Sequence, residues 1–597
     1  MGLLQKAVET YESHYAYASQ NRAGSAMMAP VGHIVTRADL EITLDMEGHF
    51  INASAVDKSE PKIIIPATES SAGRTSAPCA HPLCDQIGYL IPKNETKFKL
   101  YVDQLCAWAS SVYSHPKLGP ILHYVQGGTI LNDLLCCNLI KLDQSGKPDN
   151  EKLLVRWRVL GDGTDACWLD HTLFDAFTGY YSDNYAGEPM LCMISGDDTA
   201  AAGQHPKGII PINGNAKLIS ANDSSGFTYR GRFTEEWQAA SIGYTASQKA
   251  HSALRYLAQE QGVILGGRTF LCWNPQGRRI TGPTAPLLRL QKPVFRPSEY
   301  KQTLQDALAS RKSELELTDG VVLAAFDAAT TGRLSLTYYN ELQAHDFLQR
   351  LHDWDITCCW PHHHFGIQTP TLRQIVDCAF GTQRAEKGTA KMETDVRILR
   401  QQMQRLIACR VDKVSIGTDV VKALVGRASR PLAYEEYVRE NILFTACAVI
   451  RKYRYDKYKE EWNMALEPER KDRSYQYGRL LAVMEKAERD TYDSNDSREP
   501  NAIRMQSIFC QRPLYAANQL EKQLERAYFP RLKPGSRIWY KNLLGQIMET
   551  ISSFPQEEWN KPLDDSYLMG YYLQRSTLYT KKNEINTEET DNEQADE

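Results

Sequence analysis

Apolar residues recur three and four positions apart from about Thr371 onward, which is the spacing of one face of an α-helix. This pattern predicts helices at Val396–Cys409, Tyr434–Tyr455, Tyr475–Arg489, Leu514–Ala527, Ile538–Ser553 and Leu563–Leu578. Residues 1–370 instead mix short apolar runs, alternating segments and turn residues. We therefore predict an α+β fold, in which a mixed N-terminal domain with β-hairpins, sheet and helices precedes an all-α C-terminal helical bundle.

Individual strands of the N-terminal part are predicted by short apolar or alternating runs. Ile63–Pro66 is an apolar run that ends at a proline. Leu153–Val159 alternates apolar residues with Arg156 and Arg158, which predicts a strand with one basic face. Val321–Tyr338 predicts two strands joined by a turn, a hairpin. Further predictions are helices at residues 1–22 and 97–113 and a hairpin or meander at residues 34–55.

The composition is that of an ordinary globular protein, with 42% hydrophobic and 24% charged residues. The chain has no run of 18 apolar residues, so we expect no membrane span. Its 14 cysteines are scattered, which fits reduced thiols in a cytoplasmic protein. The net charge is −4, from 69 basic and 73 acidic residues, whereas a free-standing DNA-binding protein is usually basic. This charge favours a subunit whose partners supply positive surface.

A polar loop supported by a helix occupies the stretch from His205 to Leu257. The turn Asn213-Gly214-Asn215 leads into a short predicted strand, Ala216–Ala221, which contains Lys217. The residues that follow are small, polar or cationic, namely Asn222, Ser224, Ser225, Gly226, Arg230 and Arg232. A helix with an apolar face then closes the unit, formed by Ala246, Ala250, Leu254 and Leu257. Amide, small and cationic side chains on a supported loop suit contact with a polyanion better than bond-breaking.

A second loop of small residues, Ser70–Ser76, follows the predicted strand Ile63–Pro66. One hypothesis is that this loop enters a DNA groove. Ser70, Ser71 and Gly73 would allow close approach of the backbone, and Arg74 would lie in the minor groove, where the potential is most negative. The alternative is a plain connection to the segment Cys84–Leu90.

Cysteine and histidine motifs raise a metal-dependent alternative. They are Cys79-x-His81-x-x-Cys84, the doublet His352-Asp353 and the run Cys358–His364. A zinc site needs spaced ligand pairs that converge, whereas adjacent ligands point apart. We therefore expect an interface or surface loop at residues 358–364, and neither a metal, a cofactor nor a catalytic residue. The alternative is a metal-dependent nuclease or phosphohydrolase that uses residues 352–364. The sequence contains no P-loop, which argues against a motor that unwinds DNA.

Several motifs of this chain resemble one family. His205-Pro206-Lys207, the Gly/Asn turn, Asn222–Phe227 and the helix after them resemble the large subunit of the type I-C CRISPR Cascade complex. Further matching motifs are Cys192–Gly196, Phe270–Pro275, Tyr477–Glu485 and Tyr571–Arg575. Ser70–Ser76 followed by Cys84–Leu90 resembles the family's element of a loop and then a strand, in which Gln86 stands where the family usually has Asn. Phe509–Pro513 departs from the family's Ala-Ser-Ala-x-Pro segment, so no contact of that segment is carried over.

The resemblance implies a non-enzymatic subunit that recognises the protospacer-adjacent motif in duplex DNA, promotes guide-RNA R-loop formation and recruits a helicase–nuclease in antiviral defence. The implied partners are the guide-RNA-containing Cascade backbone subunits, double-stranded target DNA, the helicase–nuclease and a small subunit identical to the C-terminal region. The motif-sensing candidates carried over by pattern are Ser70, Ser71, Gly73, Arg74, Asn213, Asn215, Lys217, Asn222 and Ser224–Gly226. The minor-groove code is degenerate, so such contacts suit a short motif, and the guide reads the rest.

The predicted domains follow from these patterns and from the resemblance. Residues 1–370 are the motif-recognition domain, 371–463 a helical connection, 464–582 a bundle that resembles the Cascade small subunit, and 583–597 an acidic disordered tail. Met464 lies in a break between two predicted helices, where we expect few crossing contacts. Genes of this family produce the small subunit by internal translation, so the resemblance makes Met464 the predicted internal start.

Overall fold

The computed structural model describes residues 2–18, 26–60, 62–74, 77–144, 146–161, 163–212, 214–220, 233, 236–288, 290, 292–328, 330, 332–362, 365–386, 389–493 and 495–593. The chain forms two compact units, Met1–Ile280 with Asp319–Leu342, and Thr281–Thr318 with Gln343–Glu597. Of the helices in these ranges, none combines the length and the apolar character needed to cross a bilayer. The mixture of helices and small sheets confirms the predicted α+β class.

The first unit contains the elements that form its sheets and the helices that cover them. Its helices are α1 (Leu3–Ala18), α2 (Glu69–Gly73), α3 (Ile87–Leu90), α4 (Glu95–Ala109), α5 (Leu118–Gly127), α6 (Ile130–Cys136), α7 (His171–Asn184) and α8 (Tyr244–Glu260). Its strands are β1 (His33–Thr36), β2 (Leu40–Leu44), β3 (Phe50–Ala55), β4 (Ile63–Pro66), β5 (Val155–Val159), β6 (Pro189–Leu191), β7 (Asp198–Ala200), β8 (Val263–Leu265), β9 (Arg268–Trp273), β10 (Gly320–Asp327) and β11 (Ser335–Gln343).

A three-stranded sheet in the order β3-β2-β5 forms one core of this unit. β2 alternates buried and half-buried residues, because one face packs on a core that includes Trp108 and Trp157. The predicted strand β5 is confirmed, but its basic face is neutralised. β5 runs parallel to β2 with Glu41 opposite Arg156, and the Glu41 carboxylate accepts hydrogen bonds from Arg156 (2.6 Å) and Arg158 (2.6 Å).

A four-stranded sheet in the order β11-β10-β9-β8 forms the second core. Strands β10 and β11 confirm the predicted hairpin. Helix α8 confirms the predicted helix, and its apolar residues Ala250, Leu254 and Leu257 are buried with α1 against β9 and β10. The predicted strand Ala216–Ala221 is reduced to bridges at Lys217, which pairs with Lys207 and Arg333. Bends and turns at residues 209–212 and 214–215 precede Lys217.

The second unit consists mostly of helices. They are α9 (Pro297–Ser313), α10 (Ala344–Thr357), α11 (Leu372–Phe380), α12 (Val396–Val411), α13 (Thr418–Ala428), α14 (Glu436–Tyr458), α15 (Arg473–Arg489), α16 (Asn501–Phe509), α17 (Pro513–Gln523), α18 (Pro534–Ser552) and α19 (Ser566–Glu593). Two hairpins accompany them, β12 (Trp360–His362) with β13 (Gly366–Gln368) and β14 (Thr382–Glu386) with β15 (Thr389–Glu393). The predicted C-terminal helices are confirmed with shifted ends.

The two C-terminal motifs that resemble the family meet where α15 packs along α19. A methyl group added to Gly478 of α15 would overlap the backbone carbonyl of Tyr567 in α19, and one added to Gly570 would overlap that of Tyr475. Glycine at both positions therefore lets the two helix backbones come into direct contact. Arg479 also donates a hydrogen bond to Gln574 (3.0 Å) across this contact. The motifs are thus the core of the bundle.

The structure differs from the predicted segment boundaries in several places. Residues 281–318 and 343–370 belong to the second unit, whereas the sequence pattern predicts them in the N-terminal domain. The hairpin β14–β15 lies within the stretch predicted as all-α. α19 reaches Glu593 and so includes most of the segment 583–597 that is predicted as an acidic tail. Around Met464 the chain is packed rather than loose, since Trp462 is buried beneath the Arg470 guanidinium.

Candidate nucleic-acid interfaces

The predicted loop Ser70–Ser76 begins as the short helix α2, which corrects the prediction over the described residues up to Arg74. Thr68 and Ser71 form a capping box, in which the Ser71 amide donates to the Thr68 hydroxyl (3.1 Å) and the Thr68 amide to the Ser71 hydroxyl (3.0 Å). Ser71 is buried and its hydroxyl also bonds His81 Nδ1 (2.8 Å), whereas Ser70 is exposed. Of the two serines, Ser70 is accessible to a ligand.

Arg74 follows α2 and is held by a buried carboxylate. Its guanidinium donates to both Asp85 oxygens (2.9 and 2.7 Å) and to the Cys79 carbonyl (2.8 Å), and it lies over the Tyr89 ring. Asp85 is fully buried. If Arg74 entered a groove, it would leave this carboxylate without its counter-charge. Its DNA contact stays a prediction, and the contacts found indicate that it fixes the loop.

The segment Cys84–Leu90 is a turn followed by α3, not the predicted strand. Asp85 explains the difference, because its side chain accepts hydrogen bonds from the backbone amides of His81 (2.7 Å) and Gln86 (2.7 Å). These local bonds compete with the ladder bonds of a strand.

A cleft in the first unit brings together α2, β1, the segment after β7, Lys217 and α8; we call it the α2–α8 cleft. Its lining residues are polar or cationic for the most part, and they include Glu69, Gly73, Gln204, His205, Lys207, Lys217, Gln248 and Arg255. Gly73 and Lys217 came from the two separate stretches singled out in the sequence. The structure therefore joins parts of both predicted motif-sensing regions in one cleft.

Two lysines give this cleft its charge. The Lys217 backbone bonds to Gly332 (3.0 Å) and Leu334 (2.9 Å), and Arg255 holds the Lys207 carbonyl (2.6 Å). Neither ammonium group has a hydrogen-bond or ion-pair partner within the described ranges. Burial, and then the charge of Lys207, lower the pKa of Lys217. A phosphate placed between two such cations would relieve their repulsion.

Glu69 connects the two sides of the cleft. Its carboxylate accepts hydrogen bonds from the Gln204 backbone amide (2.7 Å) and the Tyr185 hydroxyl (3.1 Å). Burial raises the pKa of Glu69. This contact fixes α2 against the segment that carries Gln204 and Lys207, so the cleft has a rigid wall.

Histidines support the cleft from the side of α8. His205 Nδ1 bonds the Ser247 hydroxyl (2.8 Å), and His251 Nδ1 bonds the Ser247 carbonyl (2.8 Å). Burial lowers the pKa of His205 to about 4 and that of His251 to about 3. Ser247 is only 1% exposed, so its hydroxyl is closed to a substrate. Its hydrogen bonds with His205 and His251 support the wall of the cleft.

Seven of the predicted contact residues lie outside the described residues, and Asn215 is exposed at the end of a turn. The seven are Asn213, Asn222, Ser224, Ser225, Gly226, Arg230 and Arg232. Sequence reasoning had not singled out Gln204, Lys207, Gln248 or Arg255. The available signal was the His205-Pro206-Lys207 motif, whose lysine had not been assigned to the site.

The described residues of the metal-dependent alternative are hydrogen-bonded or buried separately. His81 bonds Ser71, and Cys84, Cys358 and Cys359 are buried. Burial raises the pKa of Cys359 to about 11, which keeps its thiol protonated. His363 and His364 lie outside the described residues. Within the described ranges, the ligand atoms that converge belong to Asp45, Glu47 and His49 on the β2–β3 turn.

The second unit carries a basic surface that sequence reasoning missed. Between Pro500 and Lys541 the chain has eight basic and two acidic residues. The exposed cations without a bonded carboxylate in the described structure are Arg504, Arg512, Lys522, Arg526, Arg531, Lys533 and Arg537. Tyr515 and Trp539 are exposed on the same segment. Cations interleaved with exposed rings suit single-stranded nucleic acid, which offers phosphates and stacking bases.

Comparison with known families gives one match over nearly the whole chain. Residues 8–579 match the family described as CRISPR-associated protein (Cas_Csd1). Among curated proteins no match is found.

Proposed function

Since the chain belongs to the Csd1 family of CRISPR-associated proteins, we propose that it is the large subunit of a type I-C Cascade. In this role it recognises the protospacer-adjacent motif in duplex DNA, promotes R-loop formation by the guide RNA and recruits the helicase–nuclease. Its partners are the guide-RNA-containing backbone subunits, the target duplex, the helicase–nuclease and a small subunit formed from its own C-terminal region. It acts without a cofactor and without catalysing a reaction.

The observation that carries this proposal is the α2–α8 cleft. Lys207 and Lys217 offer two ammonium groups that make no hydrogen bond or close ion pair among the described residues, and Glu69, which attracts Lys217, fixes the wall that carries Lys207. Phosphate contacts position a protein on DNA, and nearby amides reach the base edges. Because few groups line the cleft, it suits a short motif, while pairing with the guide reads the long target.

The basic surface of the second unit supports the R-loop part of the proposal. Strand separation leaves one DNA strand unpaired, with exposed phosphates and bases. The segment Pro500–Lys541 supplies seven arginines and lysines that have no bonded carboxylate among the described residues, together with the exposed rings of Tyr515 and Trp539. Holding the displaced strand would stop the duplex from closing again and so favour the guide–target hybrid.

Co-expression of this chain with its neighbouring genes tests the proposed function. We expect a guide-RNA complex that binds motif-bearing duplex DNA only when the chain is present. The complex assembled without it should still bind single-stranded target, since guide pairing supplies that energy. Equal duplex binding with and without the chain would contradict the proposal, as would nuclease activity of the isolated chain that depends on an added divalent metal.

The proposal includes an internal start at Met464. α15 to α19 pack on one another, yet α14 also contacts this part: Arg454 pairs with Asp565 (2.5 Å) and Arg439 with Glu499 (2.7 Å). A separate copy that begins at Met464 lacks α14 and both arginines, so Asp565, Glu499 and the surface that α14 covers become exposed to water. We therefore expect another subunit to cover this face in the complex.

The test of the internal start is to recode silently the bases upstream of the Met464 codon and to replace Met464 by Leu. Mass spectrometry of the unmodified complex should show a fragment of residues 464–597, and the recoded gene should not produce it. Separate expression of residues 464–597 should restore the lost DNA binding. Absence of the fragment from the unmodified complex would show that Met464 is not a start.

A further inference from the structure

The Gln204 side chain is a half-buried carboxamide that finds no hydrogen-bond partner among the described residues. It lines the α2–α8 cleft, and within the described ranges its amide makes no side-chain hydrogen bond. Two fully buried carboxamides of this protein are bonded to other protein groups: Gln476 donates to the carbonyls of Pro468 (3.0 Å) and Arg470 (2.7 Å), and Gln574 accepts from Arg479 (3.0 Å). The Gln204 carboxamide is half-exposed and lines the cleft, so its donor and acceptor groups are open to a ligand.

Gln204 is held in place from two sides. Its backbone amide donates to the Glu69 carboxylate (2.7 Å), which anchors it to α2. Its side-chain oxygen lies against Gly73, where a Cβ atom would come within 2.6 Å of it. The carboxamide therefore occupies space that is open only because residue 73 is glycine. Gly73 does not have a positive φ, so alanine fits the backbone there and would displace the amide alone.

We propose that Gln204, packed on Gly73, reads one base of the motif through the minor groove; the inference rests on the function proposed above. The Gln204 amide group can donate to adenine N3 or thymine O2, and its oxygen can accept from the guanine 2-amino group. Lys207 and Lys217 hold the flanking phosphates, which sets the depth at which the carboxamide meets the base edge. Gln204 thus determines specificity, and the lysines supply affinity.

The experiment uses the assembled guide-RNA complex and the motif selected by it from a randomised duplex pool. Each purine of the motif is replaced in turn by an analogue that alters the hydrogen-bonding groups in one groove only. Inosine for guanine or 2,6-diaminopurine for adenine changes the minor groove, and the 7-deaza purines change the major groove. For the wild-type chain we expect one minor-groove replacement to alter affinity on the order of tenfold, and the 7-deaza replacements to leave it unchanged.

The variants are Gln204→Ala and Gly73→Ala, with Gln126→Ala and Gly127→Ala on the exposed end of α5 as matched controls. Both cleft variants should bind the original and the minor-groove-modified duplex equally, while the controls keep the wild-type difference. Thermal unfolding checks that each variant is folded. Because a glycine and a glutamine variant test the same amide, misfolding of one leaves the other as the test.

Two further outcomes separate this inference from the function on which it rests. If Lys207→Ala with Lys217→Ala leaves duplex binding unchanged, the proposed motif-sensing role of the cleft is wrong. If the lysine variant weakens duplex binding but Gln204→Ala keeps the wild-type sensitivity to minor-groove analogues, the role of Gln204 is wrong while the cleft stands. Sensitivity to the 7-deaza purines alone would also overturn the assignment, because it would place the contact in the major groove.

Discussion

The ion pair between Arg74 and Asp85 gives a prediction that separates a structural arginine from a DNA-contacting one. Asp85 is fully buried and Arg74 is 16% exposed at its side chain. The pair is bidentate, with distances of 2.9 and 2.7 Å. We predict that Arg74→Met destabilises the first unit, because it leaves a buried carboxylate with only backbone donors.

The structure sets the magnitude of this effect. Removing one partner of a buried pair costs about 3–5 kcal/mol. Asp85 keeps two amide donors, from His81 and Gln86, so we expect a cost near the lower end, about 3 kcal/mol. For a unit of about 300 residues, whose unfolding entropy is about 2.1 cal/mol/K per residue, that corresponds to a fall of roughly 5 °C in the melting temperature. Arg74→Met combined with Asp85→Leu should cost less than the sum of the single changes, by about 2 kcal/mol or more, because no buried charge remains.

The assay is scanning calorimetry of the full chain, with Arg37→Met as the matched control. Arg37 is exposed in the same unit and its guanidinium donates to a single backbone carbonyl, that of Lys58. Duplex binding is measured in parallel on the assembled complex, at a temperature where every variant is folded. A melting temperature of Arg74→Met equal to that of Arg37→Met would refute the reasoning. So would tighter duplex binding by Asp85→Asn, since that result would mean that the freed Arg74 contacts DNA.

Other predictions follow from the helix contact, the cleft and the buried histidines. Gly478→Ala should destabilise the second unit by at least 1–3 kcal/mol, on the order expected for overpacking, and Gly545→Ala, which meets open space, should not; urea unfolding checks this. A plot of the logarithm of the duplex-binding constant against the logarithm of the salt concentration has a negative slope. Lys207→Ala with Lys217→Ala should reduce the magnitude of this slope by about 2, because two phosphate contacts are lost. Burial lowers the pKa of His251 to about 3, so only the unfolded chain gains that proton between roughly pH 6.5 and 3. The free energy of unfolding should therefore fall as the pH falls through this window. In calorimetry, the melting temperature of His251→Asn should decrease less over the same pH range than that of the wild-type chain.

The sequence pattern predicted those elements whose stability comes from one apolar face. The helices α8, α15 and α19 and the hairpin β10–β11 have strong periodicity, and all four form. The division into units was not predictable in the same way. β9 pairs with β10 across an intervening segment that folds into the other unit, and such pairing leaves no periodic signal.

The candidate site was predicted only in part, because a sequence does not show which acidic residue will pair with a given arginine. Arg74 and Arg156 are predicted as parts of basic surfaces, but Asp85 and Glu41 neutralise them in the fold. Gly73 and Lys217 were singled out for other reasons and do line one cleft. Gln204 gave no signal on its own, since its role depends on the glycine against which it packs.

The most direct test of the central claim compares two targets bound by the assembled complex. One is a motif-bearing duplex, and the other is the same sequence already opened into a bubble. If the α2–α8 cleft senses the motif in duplex DNA, Lys207→Ala with Lys217→Ala should weaken binding to the duplex and leave binding to the bubble nearly unchanged, because guide pairing then supplies the energy. An equal loss of affinity for both targets would contradict the account.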